Sequence, residues 1–577
     1  MAEYLSPGVY IEEFESGGKP MEGVGTSTAG FVGLAERGPA EGVPQLITNF
    51  ADFKRTYGGY LSENEFGDYR FLAYATEHFF VNGGSRCFIS RVVPGDAKCA
   101  VGSMPKEKAV IEISAKNPGI WGDSIRVVIT PASKAKTQIL EKVSLGDSAK
   151  YLVKNGAGFN PGDVVLFTDG LDTQYNKVAG NQDNFITFVK EFEGDVSDRN
   201  LLPQKTISTC EITLEAKYDD IIEIYENISF NVESANFIEK KISKSNLVTI
   251  CFCGIISDDI VHPFQELVLD IDQAMGTISL SGGSNGSVSS LSAADFIGVD
   301  NGAGKRTGIQ AFMDNDVVSI MAVPGIVDPN VQLTLIAHCE NLASRFAVLD
   351  MPRDDKKVED ILKHRDMFDS HYAAMYHPWL EIFDPLDKKN IAIPPSGSIT
   401  GIYARSDNTR GVHKAPANEV VRACVGLDCQ FNKGEQDILN PKGVNLIRAF
   451  SGQGIRVWGA RTVTSNASWK YINVRRLFIF IEETIKANTN WAVFEPNDEV
   501  LWVRVKRTIN VFLTGLWRNG SLAGTSPEEA FFVNIGRSTM SQDDIDNGRL
   551  ICVIGVAPVK PAEFVIFRIT QKTNESE

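Results

Sequence analysis

The sequence predicts a multidomain chain of mixed class, α/β and α+β, with an α/β sandwich-like core layer and a β-rich insertion. Three observations carry this. At 577 residues the chain exceeds what one hydrophobic core serves, so about two to four domains are expected. Between about 293 and 455, buried strand-like runs alternate with helical stretches, the rhythm of a largely parallel sheet covered by helices. Between about 131 and 255, short β-forming runs are separated by Gly, Asn and Asp, which marks turns between antiparallel strands.

Each part follows in order. Residues 1–30 read as an arm: Val9, Tyr10, Ile11 and Phe14 favour a strand, while Pro7, Gly8, Gly17, Gly18 and Pro20 keep it out of a compact domain. Residues 31–130 form the first part of the core, where AGFVGLA and RCFISRVV predict strands and 69–84 predicts an amphipathic helix with a glycine stop. Residues 131–255, with runs such as GDVVLFTDG, NFITFVKEF and NLVTICFC, predict a surface insertion. SGGSNGSVSSLS, 281–292, has the composition of a flexible linker. The main α/β domain spans 256–455. There VVSIMAVP and RFAVLDMP predict neighbouring strands, and between them Asp328 as N-cap and Pro329 at N1 start a helix with Leu335, Cys339 and Leu342 on one face. Residues 456–577 predict a C-terminal α+β domain with helices over about 473–488 and 498–518. Its last strand-forming run holds Phe564, Val565, Ile566, Phe567 and Ile569.

Bulk properties narrow the function. With 43% hydrophobic residues the chain buries sizeable cores, and its formal charge of −16 argues against coating nucleic acid. No apolar run is long enough to cross a bilayer; LFIFI at 477–481 reads as core. The acidic opening MAEYLSPGVYIEE lacks the apolar region of a signal peptide, so synthesis in the cytoplasm is expected. Nine cysteines without a regular framework fit reduced thiols.

Chemistry-bearing patterns are sparse. Residues 282–286 spell G-x-S-x-G, but a nucleophile elbow needs a strand directly before it and a helix directly after, and here more Ser and Gly follow. NGAGKRTG, 301–308, fails the phosphate-loop pattern at Val299 and again at Arg306. His364, His371 and His377 are near each other in sequence; the first two are expected as solvated residues sharing a helix face, without the partner ligands of a metal site. Cys251 and Cys253, like Cys424 and Cys429, lack a second pair. No catalytic, metal or cofactor site is expected, and a hydrolase built on the α/β domain is the competing class.

The residues 391–418, IAIPPSGSITGIYARSDNTRGVHKAPAN, carry a resemblance of high specificity. PPSG, GIYAR, RGV and KAPAN in this order are similar to a block of the contractile-tail sheath proteins, the family of phage tail sheaths and phage-tail-like injection systems. NPKGVNLIRAF with GQGIRVWGARTV (440–463), and INVRRLFIFIEETIKANTNWAVFEPND (472–498), resemble the blocks that follow. LSPGVYIEEFESG, GTSTAGFVGLAERGP and NPGIWGDSIRVVI resemble earlier family segments, and the likeness fades between about 130 and 280. Several long segments in one order are much harder to obtain by chance than one short pattern.

The resemblance implies a structural subunit with a subtilisin-like α/β layer and no enzyme activity. Many copies would stack as rings, expected to be hexameric, around an inner tube protein, with baseplate and terminator or cap proteins at the ends. Contraction would drive the tube through a target membrane without membrane insertion of the sheath itself. The assembled object would be an injection particle or, alternatively, a phage virion. Both ends of the chain are short apolar strand formers, and such ends either fray or pair with another sheet edge. Exchange of these terminal strands between subunits is therefore expected. Basic residues in the C-terminal unit, Arg475, Arg476, Arg504, Lys506, Arg507 and Arg518, allow two readings: a solvated helix surface, or contact with an acidic tube.

Overall fold

The computed structural model describes residues 21–104, 110–145, 148–169, 172–193, 205–253, 276–564 and 566. Its centre is a nine-stranded sheet. The order is Gln45–Ile47, Cys87–Val92, Ala29–Leu34, Ile320–Ala322, Phe346–Asp350, Ala373–His377, Val444–Phe450, Gly454–Val457 and Glu419–Val420. The five central pairings are parallel and the outer ones antiparallel. Strands such as AGFVGL and FAVLD are buried along their whole length, as central strands covered on both faces must be.

The helix Pro329–Leu342 starts where expected: Asp328 accepts from the Asn330 amide and Pro329 occupies the first turn. Leu335 and Cys339 face the core, with Leu342 at its rim. The helix Leu72–Val81 departs from the amphipathic expectation, because Leu72, Ala73, Tyr74, Ala75, Thr76, His78 and Phe79 are all buried. Its second face is covered by the helix Ser396–Arg410, which lies over the same part of the sheet. A helix apolar nearly all round belongs inside a large core.

The β-rich part forms two layers. Six strands close into a barrel: Lys136–Leu145, Ser148–Val153, Val164–Thr168, Thr173–Gln182, Phe185–Phe188 and Thr206–Thr209. Its interior holds Tyr151, Val165, Phe167, Val178, Ile186, Phe192 and Ile207. Beneath it lie a four-stranded sheet (Arg126–Ala132, Glu211–Tyr218, Ile221–Ile228, Thr277–Ser279) and a three-stranded one (Val101–Met104, Ile111–Ala115, Val248–Phe252), sharing one core. The junction expected at 131 runs through this pairing. Residues 111–115 and 126–132 alternate in and out and find their partners at 248–252 and 211–218. By packing, they belong with the β part.

Residues 281–292 are an ordered strap rather than a flexible linker. Asp96 accepts from the Ser287 amide and the Ser290 hydroxyl, Asn285 accepts from the Ile120 amide, and Asp123 accepts from the Gly283 amide. Composition gave no sign of these partners, since Ser and Gly suit a tight hydrogen-bonded strap as well as a free one.

The C-terminal unit is built from the helices Ile472–Thr489 and Glu499–Arg518 over the hairpin Phe531–Ile535 and Cys552–Val556. Leu477, Ile481, Leu501, Trp502, Val505, Ile509, Leu513 and Val533 make its core.

Candidate assembly interface

Residues 391–418 form a joint between the α/β layer and the C-terminal unit. At its start Asp350, the last residue of a central strand, is fully buried. It accepts from the Gly325 amide (3.0 Å), the Ser396 amide (2.8 Å) and the Ser396 hydroxyl (2.7 Å). Burial pushes its carboxyl up to about 6, with these hydrogen bonds working in the opposite direction. Two prolines precede Ser396, so the chain turns from strand to helix with Asp350 accepting from the free amide of Ser396 at the helix start. Further on, Gly397 and Gly401 bring the helix backbone against the other buried helix. A Cβ on Gly397 would lie 2.5 Å from Ala75 backbone, and one on Gly401 2.4 Å from the Phe79 carbonyl.

Across the joint, Asp407 receives two donors from Arg476, at 2.9 and 2.6 Å, and a third from Thr26 at 2.7 Å. Arg476 also donates to the Thr26 carbonyl at 2.9 Å and lies over the Tyr403 ring. Three chain segments, 21–28, 396–410 and 472–489, thus meet at one buried ion pair. Arg475 is equally enclosed, stacked on Tyr372 and Trp469 and donating twice to Glu482 at 2.9 Å. Both arginines are about 4% exposed, so neither presents a charge on the surface. Sequence could not separate them from the exposed cations, since a lone RR gives no helical phase.

The remaining cations behave differently. Arg504 lies over Trp491 at 4.5 Å and pairs with Glu495 at 3.9 Å. Lys506, Arg507 and Arg518 are exposed along the outer face of Glu499–Arg518, with Val503 and Val511 between them.

The hairpin of the C-terminal unit is a two-stranded sheet with a free edge on each side among the described residues. Phe532 and Val553 on it are about half exposed. A two-stranded sheet is marginal alone. Of the expected arm residues, Phe564 and Ile566 are exposed and outside any strand. Val9, Tyr10, Ile11, Phe14, Val565, Phe567 and Ile569 lie outside the described residues. Nearby, Glu563 is held by Arg461 at 2.6 and 2.8 Å and by the Tyr471 hydroxyl.

Of the three histidines, His364 and His377 are buried and His371 is half-buried. His364 is buried with its Nε2 3.0 Å from Gln332 Oε1, and burial lowers its pKa to about 4. His371 lies outside that helix and stacks on Trp469. His377 is buried beside Phe431. Among the described residues no three or more His, Cys, Asp or Glu side chains are placed to hold a metal. Ser284, in the G-x-S-x-G spelling, accepts from the Gly286 amide at 3.1 Å, an ordinary turn contact.

Among the described residues the joint is built of buried ion pairs and hydrogen bonds, and the C-terminal sheet leaves its edges open. Two adjoining family models match the chain, the phage tail sheath protein central domain over residues 301–463 and the phage tail sheath C-terminal domain over 464–572. Over residues 301–572, a little under half of its length, the chain matches the phage tail sheath family. A putative prophage major tail sheath protein of Pseudomonas aeruginosa (strain UCBPP-PA14) is 24% identical over 291 residues, 48% of this chain and 72% of that one. The tail sheath protein of Escherichia phage P2 is 24% identical over 293 residues, 48% of this chain and 71% of that one. Among solved structures, the fold resembles the PVC sheath complex of an extracellular contractile injection system in its contracted state. The TM-score is 0.52 and the identity 21%, covering the whole of both chains. The anti-feeding prophage baseplate contains a chain of similar fold, with a TM-score of 0.50, 22% identity, and 98% of this chain and 99% of that one covered.

Proposed function

We propose that this chain is the sheath subunit of a contractile injection particle. Copies stack as rings around an inner tube on a baseplate and contract to push the tube through a target membrane. The observation that carries this is the pair of sheath domains spanning 301–572, with the segments of the resemblance lying at the joint and in the C-terminal unit. In this reading the subunit is structural and not an enzyme, with the energy of contraction stored in an extended lattice. The arms, residues 1–16 and 563–577, add strands to the free edges of a neighbour's hairpin Phe531–Ile535/Cys552–Val556. Such contacts are heterologous and build rings or helices. The barrel 136–209 projects from the outer surface, and the exposed cations Arg504, Lys506, Arg507 and Arg518 are the candidates for a salt-sensitive grip on the tube. Arg475 and Arg476 are spent on the joint.

The test is electron microscopy and circular dichroism of the full chain and of two truncations lacking 1–16 or 563–577. Tubular polymers are expected only from the full chain, with folded soluble subunits from both truncations. Normal tubes from either truncation would remove strand exchange from the reading.

A second reading, the sheath of a phage tail, is favoured by the curated relatives from phages. Capsid and terminase genes beside this one would mean a phage, and a gene for an AAA+ ATPase without them an injection particle.

A further inference from the structure

The loop at residues 490–498 presents Phe494 to solvent with nothing covering it. Its φ is +68°, a region that a bulky side chain enters only when the surroundings impose it. The surroundings do. The Trp491 ring lies under the Arg504 guanidinium, Asn497 accepts from Trp502 Nε1 at 2.8 Å and donates to the Arg549 carbonyl, and Asp498 caps the following helix. Val493 and Val500 beside it are also more than half exposed. A rigid loop built to hold a ring in water has the form of a binding anchor.

The complement lies on the same chain. Along the outer face of Glu499–Arg518 runs a groove of about 550 Å³, lined by Val503, Val511 and Gly515 and walled by the stems of Lys506, Arg507 and Arg518. No atom would meet a Cβ added at Gly515, so its floor is open. The anchor is flanked by the exposed acids Glu495, Asp498 and Glu499, and the groove by three cations. The anchor lies on the loop before the helix and the groove along the helix itself, and the full exposure of Phe494 shows that a chain does not fill its own groove.

We infer that Phe494 of one copy seats in the helix groove of a neighbouring copy, with its flanking acids meeting the basic rim. The contact is head-to-tail, joining different surfaces of the two copies, and therefore propagates around a ring or along a helix. Arginine stems and guanidinium faces suit an aromatic ring, and their heads stay at the rim. This rests on the polymerising reading of the chain, and it assigns Lys506, Arg507 and Arg518 to the neighbouring copy, leaving Arg504 as the candidate for the tube.

The test uses the full chain with Phe494→Ala, and monitors polymer formation by light scattering and microscopy. The concentration needed for polymers should rise on the order of tenfold or more, with unchanged circular dichroism and thermal midpoint of the subunit. Arg507→Glu/Arg518→Glu and Glu495→Lys/Glu499→Lys should each weaken assembly, and the two pairs combined should restore it. Phe494→Ala assembling at the wild-type concentration, or a combined variant without recovery, overturns the contact. If the arginine variant instead gives normal numbers of tube-free sheaths and Phe494→Ala is silent, the cations serve the tube and the inference fails while the sheath reading stands. A wild-type chain that forms no polymer removes the sheath reading, and the contact with it.

Discussion

At the level of single side chains, the joint rests on charges placed where water cannot reach them. Asp407 and Arg476 are each almost wholly buried, and removing one partner of such a pair strands the other. Arg476→Met should cost about 3–5 kcal/mol, seen as a lowered thermal midpoint. Adding Asp407→Leu should recover most of that loss, because a buried apolar pair of similar size is often as stable as the ion pair it replaces. A double variant as unstable as the single one would mean that Thr26 and Tyr403 need the charges for another reason.

Asp350 makes the opposite kind of prediction. Its folded pKa of about 6 lies above the usual carboxylate value near 3.9. The folded chain therefore binds this proton more tightly than the unfolded chain. Below about pH 4 both states hold it and the group is neutral in the balance; as pH rises to about 6 the folded state is progressively penalised, by roughly 3 kcal/mol in full. Urea midpoints measured from pH 4 to 7 should therefore fall through this window. Asp350→Asn, which does not titrate, should flatten that segment, whatever its offset. An unchanged slope would assign the dependence to other carboxyls.

Elements were legible in the sequence where local rules decide them. The two C-terminal helices, Ile472–Thr489 and Glu499–Arg518, fall within about a residue of their expected limits, and Asp498 caps the second by accepting from the Leu501 amide. The strands at 320–322 and 346–350 and the helix between them follow from apolar runs and the Asp-Pro start. What stayed hidden depends on distant partners. The ordering of 281–292 comes from Asp96 and Asp123, and the burial of Arg475 from Tyr372 and Trp469, none of them adjacent in sequence. The second face of Leu72–Val81 is covered by a helix over 300 residues further on, through glycines whose role only appears in three dimensions. That contact is testable. Gly397→Ala puts a methyl into Ala75 backbone and should destabilise by about 3 kcal/mol or more. Gly515→Ala, in an open helix position, should leave stability level or raise it by about 0.5–1 kcal/mol. Equal midpoints for the two variants would mean that the helices separate without cost.

For the whole molecule, the barrel lies within the β-rich stretch expected over 131–255, and the pairing of Arg126–Ala132 with Glu211–Tyr218 runs across the first of those bounds. The chain enters it at 133–135 and leaves it at 210, and these two crossings run side by side. Ala132 pairs with Glu211, the Lys134 amide donates to Glu211 at 2.8 Å, and Thr209 donates to the same carboxylate at 2.7 Å. Lys134 Nζ then reaches both Glu211 and Asp163, tying the barrel to the sheet beneath. Two strands leaving one sheet as neighbours can be rejoined by a short turn. The barrel core and the core below are distinct clusters, although Val164, Leu166 and Tyr175 of the barrel pack on the lower one, so excision of residues 134–209 with an Asn-Gly bridge keeps every strand pairing of the lower sheet while baring that patch. Glu211 should be changed to Gln in the same chain, since its cation leaves with the barrel. Cutting at 131 and 255 instead removes Glu211–Tyr218 and Val248–Phe252, the partners of Arg126–Ala132 and Ile111–Ala115, and should give an unfolded or aggregated product. The first excision should fold, assemble, and form tubes of smaller outer diameter with an unchanged bore, measured by electron microscopy. If its tubes keep the full diameter, the barrel does not line the outside; if it cannot assemble while folding normally, the barrel carries a contact between subunits.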